Sequence, residues 1–365
     1  MPPSPAPLRL PPRFAGNQLL PVRAALSGEL GAIISSFRPP IRYAFAYGSA
    51  VFPQKSYPQR NSHAMLDFIF AVSHPSHWHS INLRHNPSHY SLPARILGSP
   101  GVTWLQEHGP GAGLWFNVQA KINDRVIKYG VVSIDSLCDD LLDWNSLYLA
   151  GRMHKPTHIL RDDGRVRLAQ QVNLASALRT ALLLLPERFD EIELYRTIAG
   201  LSYTGDFRMR WAENPSKIDN IVERQLELFR TLYRPLLNAL HSHITESSSP
   251  KVFLQDCSPQ ARAQLLLKLP VRLRERIQTI YFHRWNLHRA FTHTSSIDPP
   301  QLPSTDQLEI WTRIAADSTL HDSLKHSLVQ IVARPALYQS CKGLFSAGLT
   351  KSIRYAANKV IKRFS

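Results

Sequence analysis

Ile41-Arg42-Tyr43-Ala44-Phe45-Ala46-Tyr47-Gly48-Ser49, read with Met65-Leu66-Asp67-Phe68-Ile69-Phe70-Ala71-Val72, decides how this chain folds. The first stretch is an apolar strand that stops at a glycine. The second is another apolar strand, and it carries a carboxylate 18 residues after Ser49. A carboxylate among apolar strand residues is expensive to bury unless something positive meets it. A Gly-Ser turn offers backbone amides and a hydroxyl to phosphate oxygens. The pair therefore implies a triphosphate held by a turn, with Mg²⁺ held by Asp67 one strand away.

A third charged residue interrupts an apolar strand, at Val126-Ile127-Lys128-Tyr129. If Lys128 points inward it needs an anion, and a substrate phosphate would serve. Strand alternation equally allows it to face outward.

Composition narrows the partners. The chain has 365 residues, 44% of them hydrophobic, enough for two modest domains or one large one. The net charge of +16, with a pI near 10.0, points to anionic partners: nucleotides, nucleic acid or acidic lipid headgroups. No apolar run of about 18 or more residues occurs, so no transmembrane helix is expected. Cys138, Cys257 and Cys341 lie far apart, without metal-ligand spacing, and argue against a disulfide framework.

Along the chain, the first half reads as mixed α/β. Leu114 to Ile122 and Arg125 to Ser133 are expected strands around an Asn123-Asp124 hairpin turn, after a Gly109-Pro110-Gly111-Ala112-Gly113 loop. Asp135 to Tyr148 reads as a helix. From about residue 166 the pattern turns helical, with helices expected over Leu174 to Leu185, Phe189 to Leu201 and Pro215 to Leu240, and again over 251 to 280. Arg9, Arg13 and Arg23 precede the first acid, Glu29, as in a mitochondrial presequence, although six prolines by position 12 forbid a helix at the very start; a disordered tail fits as well. From Ser323 to Ser365 there are eight Lys or Arg and no acid. As a helix, Leu349 to Phe364 places Leu349, Ile353, Ala356, Val360 and Phe364 on one face and Lys351, Arg354 and Lys362 opposite. That is the pattern of a helix lying on an anionic membrane, and also of a packed helix with a solvated basic face.

Longer motifs carry a resemblance. Tyr47 to Gln54, Met65 to Phe68, Trp78-His79, Asn82, Asn86, His89-Tyr90, Gly111 to Gly113 and Lys128 to Val131 are among them. So are Leu149 to Pro156, Ala199 to Arg208, Lys342 to Gly348 and Lys351-Ser352. Over about residues 30 to 360 the chain resembles the mitochondrial phosphatidate cytidylyltransferase family, itself built like the nucleotidyltransferases of the polymerase-β superfamily. The resemblance implies an α/β (α+β) nucleotidyltransferase domain at 29–160, after a presequence-like or disordered 1–28. An α-rich, winged-helix-like domain would follow at 161–310, and a basic, amphipathic membrane-contacting region at 311–365. It implies transfer of CMP from CTP to phosphatidate with Mg²⁺, giving CDP-diacylglycerol and pyrophosphate. It implies a peripheral protein on an anionic lipid surface, the matrix side of the mitochondrial inner membrane, feeding cardiolipin synthesis, with no nucleic acid partner. One departure is that the superfamily's second carboxylate, two residues after the first, is here Ile69.

The expected site residues follow. Tyr47, Gly48 and Ser49 would cradle the triphosphate, and Asp67 would hold the metal. Lys128 and Arg152 or Lys155 would meet substrate phosphate, in a basic cluster that includes His154. His79, Asn82, Asn86 and His89 would line the nucleotide cleft; a zinc site among the histidines is disfavoured by their spacing. Asp206 would be a metal ligand, a base or the structural partner of Arg208. Lys351, Arg354, Lys359 and Lys362 would meet the membrane. Two other functions compete: an RNA-end nucleotidyltransferase, which would want the missing Asp-x-Asp pair, and a non-enzymatic factor supporting protein import.

Overall fold

The computed structural model describes residues 11, 14–52, 64–122, 124–211, 216–247, 249, 251–286 and 305–347. A helix, α1 (Ala24–Ser35), leads into β1 (Tyr43–Tyr47) and β2 (Leu66–Val72). Then come α2 (Pro75–His85), α3 (Leu92–Glu107), β3 (Leu114–Ile122), β4 (Arg125–Ser133), α4 (Ile134–Asp143), α5 (Ala150–Met153) and β5 (His158–Arg161). The five strands form one mixed sheet in the order β3-β4-β2-β1-β5. β2 and β4 run parallel, and the other neighbours are antiparallel. The hairpin predicted between β3 and β4 has its ends where the apolar runs put them. Asp124 adopts the left-handed conformation, at φ 62°, that a tight hairpin turn requires.

The remaining chain is mostly helical. α6 (Gly164–Leu184), β6 (Arg188–Asp190), α7 (Glu191–Gly200), α8 (Arg208–Trp211), α9 (Lys217–Arg224) and α10 (Leu226–Asn238) come first. β7 (Ile244–Glu246), β8 (Val252–Gln255), α11 (Pro259–Leu267), α12 (Val271–Arg284), α13 (Thr305–Ala315) and α14 (Leu320–Ala347) follow. The single helix expected over 215–240 is two, parted at Gln225, and the stretch expected to be helical from 251 opens with a strand. The three short strands pair antiparallel in the order β6-β8-β7.

The sheet separates two packed faces. On one, Ala44, Ala46, Phe68, Phe70, Tyr129 and Val131 pack with α1 and Trp78 of α2. On the other, Tyr43, Phe45, Ile69, Ala71 and Val132 join a core that runs through α4 and α6 to Leu328 and Ile331 of α14. Because side chains alternate along a strand, Asp67 lies on the Ile69 side of β2 and Lys128 on the Val132 side of β4, which is this second face. Among the described residues, no helix is long and apolar enough to cross a membrane.

Candidate functional site

β2 is buried along its length except at Asp67, and the inner part of β4 except at Lys128. The parallel register sets these two residues directly opposite each other, and the antiparallel register sets Tyr47 opposite Asp67 from the other side. The Lys128 ammonium lies 3.8 Å from an Asp67 carboxylate oxygen, in ion-pair range but longer than a hydrogen bond, and 4.4 Å from the centre of the Phe116 ring. Both side chains keep an opening to solvent, at 25% exposure for Asp67 and 15% for Lys128. Beside Asp67 on the next strand, then, stands a cation and not a second acid. The position two residues along β2, Ile69, is buried in the core.

The Gly48 turn closes over Asp67. Gly48 has φ 90°, and a Cβ built on it would sit 3.3 Å from Asp67 Oδ2, so backbone conformation and space both call for glycine. The amides of Val51 and Phe52 donate to the Gly48 carbonyl. That leaves the Ser49 and Ala50 amides and the exposed Ser49 hydroxyl as the turn's groups for an anion.

Arg152 covers the same site from α5. Its guanidinium donates to the Tyr148 carbonyl, stacks 3.9 Å from the centre of the Tyr148 ring and lies 5.7 Å from that of Tyr47. Burial and the Asp67 charge push the Tyr47 phenol up. Burial also raises Tyr148, but the fields of Arg152, Arg208 and Lys128 outweigh it and hold that phenol below its ordinary value. The sign of that shift marks the potential at Tyr148 as positive.

The loop that presents Tyr148 is fixed from within. Buried Asp140 accepts hydrogen bonds from the amides of Ser146, Leu147, Leu149 and Ala150 and from the Ser146 hydroxyl. Asn173 of α6 donates to the Ala150 carbonyl and accepts from Trp144 Nε1 and His154 Nε2. His154 is therefore a structural residue, fully buried and kept neutral by burial with a pKa lowered to about 3, and not a member of the basic cluster as the sequence led us to expect.

Lys155 donates to the Gly151 carbonyl and, at 3.0 Å, to the Ser202 hydroxyl, with the Tyr203 ring 4.8 Å away. Burial lowers its pKa to about 8, and Arg152 and Lys217 add to that. Asp206 is 3% exposed and clamped by Arg208, whose Nε and Nη2 both bond the carboxylate. Of the roles open to Asp206, this geometry is that of a partner orienting Arg208. Around Tyr148 and Tyr203 there gather Lys128, Arg152, Arg208, Lys155, Lys217 and Lys342, against the carboxylates of Asp67 and Asp206.

Four expected nucleotide ligands lie elsewhere. His79, Asn82 and His89 are buried on the α2 side, against Tyr129, which points to the opposite face of the sheet from Lys128. His79 donates through Nε2 to Gln106 (2.9 Å) and accepts at Nδ1 from the Tyr90 hydroxyl (2.8 Å). Asn82 donates to the hydroxyls of Tyr90 and Tyr129, His89 Nδ1 accepts from Tyr129, and half-buried Asn86 donates to Asn82. Burial lowers the His79 pKa to about 4, so the ring is neutral. These polar groups bond chiefly to one another, on the face of the sheet opposite Asp67 and Lys128. The expected membrane residues Lys351, Arg354, Lys359 and Lys362 lie outside the described residues.

Among the described residues, no three His, Cys, Asp or Glu side chains cluster as an all-protein cage would need. Mg²⁺ keeps several waters and binds through one or two carboxylates plus substrate phosphates, so the single carboxylate of Asp67 beside the Gly48 turn fits that ion.

Comparison with known proteins gives a consistent result. Residues 30–362 match the family described as "Phosphatidate cytidylyltransferase, mitochondrial". A Xenopus laevis protein of that description is 40% identical over 346 residues, covering 94% of this chain and 96% of the relative. A Danio rerio protein is 39% identical over 90% of this chain and 93% of its own length. One from Saccharomyces cerevisiae is 36% identical over 97% of this chain and 75% of its own length.

Proposed function

Since the chain belongs to the mitochondrial phosphatidate cytidylyltransferase family and is a cytidylyltransferase, we propose that the Gly48 turn, Asp67, Lys128 and Arg152 form the site where CMP passes from CTP to phosphatidate. The observation that carries this reading is the Gly48 turn set so close over Asp67 that a Cβ there would lie 3.3 Å from its carboxylate, with Lys128 in register alongside. It joins an anion-binding turn, a lone carboxylate and a cation at the point where two buried strands open to solvent.

In this reading an oxygen of the phosphatidate phosphate attacks the α-phosphorus of CTP, and the bond from that phosphorus to the bridging β-oxygen breaks. The products are CDP-diacylglycerol and pyrophosphate. The attacking oxygen is already anionic near neutral pH, so the reaction needs no strong base. Its barrier is two anions meeting and charge growing on the leaving pyrophosphate, and fixed positive groups at the right distance answer both. The Ser49 and Ala50 amides and the Ser49 hydroxyl hold the outer phosphates. Lys128 and Arg152 offset charge, and Tyr47 and Tyr148 fix where the Arg152 guanidinium points. Arg208, aimed by Asp206, and Lys155 extend the field toward the second substrate. Asp67 would hold Mg²⁺ together with triphosphate oxygens and water, and the ion would supply Lewis-acid polarisation of the phosphoryl oxygens. The enzyme would work as a peripheral protein on the matrix side of the mitochondrial inner membrane, its basic C-terminal segment on anionic lipid, feeding cardiolipin synthesis.

The test is incubation of the full chain with CTP labelled at the α-phosphate, Mg²⁺ and vesicles with or without phosphatidate. The expected result is label in lipid only when phosphatidate is present. Label in lipid without phosphatidate, or none with it, overturns the reading.

A further inference from the structure

One lysine near the cluster differs from the others. Lys128 has Asp67 beside it and Lys155 has the Ser202 hydroxyl. The Lys342 ammonium, near the C-terminal end of α14, is buried and finds no hydrogen-bond partner among the described residues. An ammonium carries three donors, and burying it without an acceptor works against the folded state. Burial lowers its pKa to about 8, and the Tyr148 phenol opposes that only in part.

The position of Lys342 is nonetheless tightly specified. One turn earlier on α14, Gln339 donates to the Leu114 carbonyl (3.2 Å) and accepts from the Ala112 amide (3.3 Å), which fixes the helix against the start of β3. Gly111, at φ 126°, leaves room for this approach. A Cβ there would come 2.9 Å from Gln339 Oε1 and 3.5 Å from the Lys342 nitrogen. The ammonium is held where the Tyr148 phenol acts on it, and the same phenol feels Arg152, Arg208 and Lys128. A buried ammonium with no acceptor among the described residues, set against the Gly111 loop beside a cluster that already gathers positive charge, has the form of a group awaiting an anion.

We infer that Lys342 is an anion-binding residue of the active site, its ammonium completed by a phosphate oxygen of substrate when the site is filled. This rests on the cytidylyltransferase reading above. It gives α14 a share in catalysis that the strand motifs alone do not contain. Whether the oxygen belongs to the triphosphate or to the lipid phosphate is what the kinetics separate.

The experiment compares the full-length wild type with Lys342→Met and Lys342→Arg, varying CTP and phosphatidate independently on vesicles and recording the thermal midpoint without substrate. A charge-assisted hydrogen bond to phosphate predicts that Lys342→Met loses about tenfold to a hundredfold in kcat/KM for at least one substrate, and that Lys342→Arg recovers part of it. A loss confined to CTP assigns the triphosphate, and one confined to phosphatidate assigns the lipid phosphate. The ligand-free midpoint of Lys342→Met should equal or exceed that of the wild type, because an unpartnered buried charge has been removed. A merely structural lysine would lower it. Unchanged kcat/KM for both substrates, or a lowered midpoint with activity falling only as folded protein is lost, overturns the inference. If the wild type itself transfers no CMP to phosphatidate, it is the cytidylyltransferase reading that fails.

Discussion

The two faces of the central sheet handle polar groups in opposite ways. On the α2 face, His79, Asn82, His89, Tyr90 and Tyr129 are buried, neutral and bonded to one another. On the other face, Asp67, Lys128, Arg152, Lys155 and Lys342 are charged, held near one another, and together carry more positive than negative charge. Neutral groups that bond one another fix a core. A site with surplus charge and an opening to solvent costs the fold something and can repay it only by binding an anion. The contrast separates structure from chemistry more cleanly than residue type does, since histidine and asparagine look as functional in a sequence as aspartate and lysine.

The largest expected effect breaks the charged face. Asp67→Asn keeps shape and removes the charge. It should lower kcat by roughly a thousandfold or more, about 4 kcal/mol of transition-state stabilisation, while the thermal midpoint stays close to wild type. Steady-state rates and a melting curve on one preparation check both halves. Near-normal turnover would remove Asp67 from the chemistry.

The mirror experiment is on the neutral face. Asn82→Ala strips donors from two buried tyrosine hydroxyls. It should cost about 1–3 kcal/mol of stability by denaturant titration and leave the KM for CTP unchanged in the folded fraction. A variant of wild-type stability with a raised KM for CTP would put the network back in the nucleotide site.

A smaller effect sharpens the same contrast through pH. His79 titrates at about 4 in the folded chain because burial disfavours its cation, with the Gln106 hydrogen bond opposing that only in part, against about 6.5 when unfolded. Between those values the unfolded chain binds the extra proton. Stability is therefore complete above about pH 6.5 and falls on acidification toward pH 4, by about 1.4 kcal/mol per pH unit for this one group. His154, at about 3, adds a similar slope. Urea unfolding midpoints from pH 7 to 4.5 should fall less steeply for His79→Gln than for the wild type, and parallel slopes would contradict the buried neutral ring.

The sheet was legible in the sequence where strands are apolar throughout. β1, β2 and the inner part of β4 announce themselves because burial on both faces demands near-continuous hydrophobic runs, and the charged interruptions there, Asp67 and Lys128, fall in the candidate site; β3, with Asn117, Gln119 and Lys121, was legible instead from its hairpin turn with β4. β5 was not legible: His158–Arg161 is a short, partly exposed edge strand without such a run. β6 and β7 span three residues each, too few to show a period. Within the candidate site, Gly48, Ser49, Asp67, Lys128 and Arg152 could be read locally. Tyr148 and Lys342 could not, because their meeting depends on how α14 packs against the loop before β3. The α2 residues misled for a related reason. Trp78, His79 and Asn82 share a helix face by their spacing, and which side of the sheet that face meets is a fact of tertiary packing.

The most direct test is a crystal structure of the full chain with CTP and Mn²⁺. The expected result is an anomalous manganese peak at ligand distance from the Asp67 carboxylate, the outer phosphates against Ser49, and Lys128 and Arg152 turned toward them. A triphosphate bound on the α2 face among His79 and His89, or a manganese peak remote from Asp67, would contradict it.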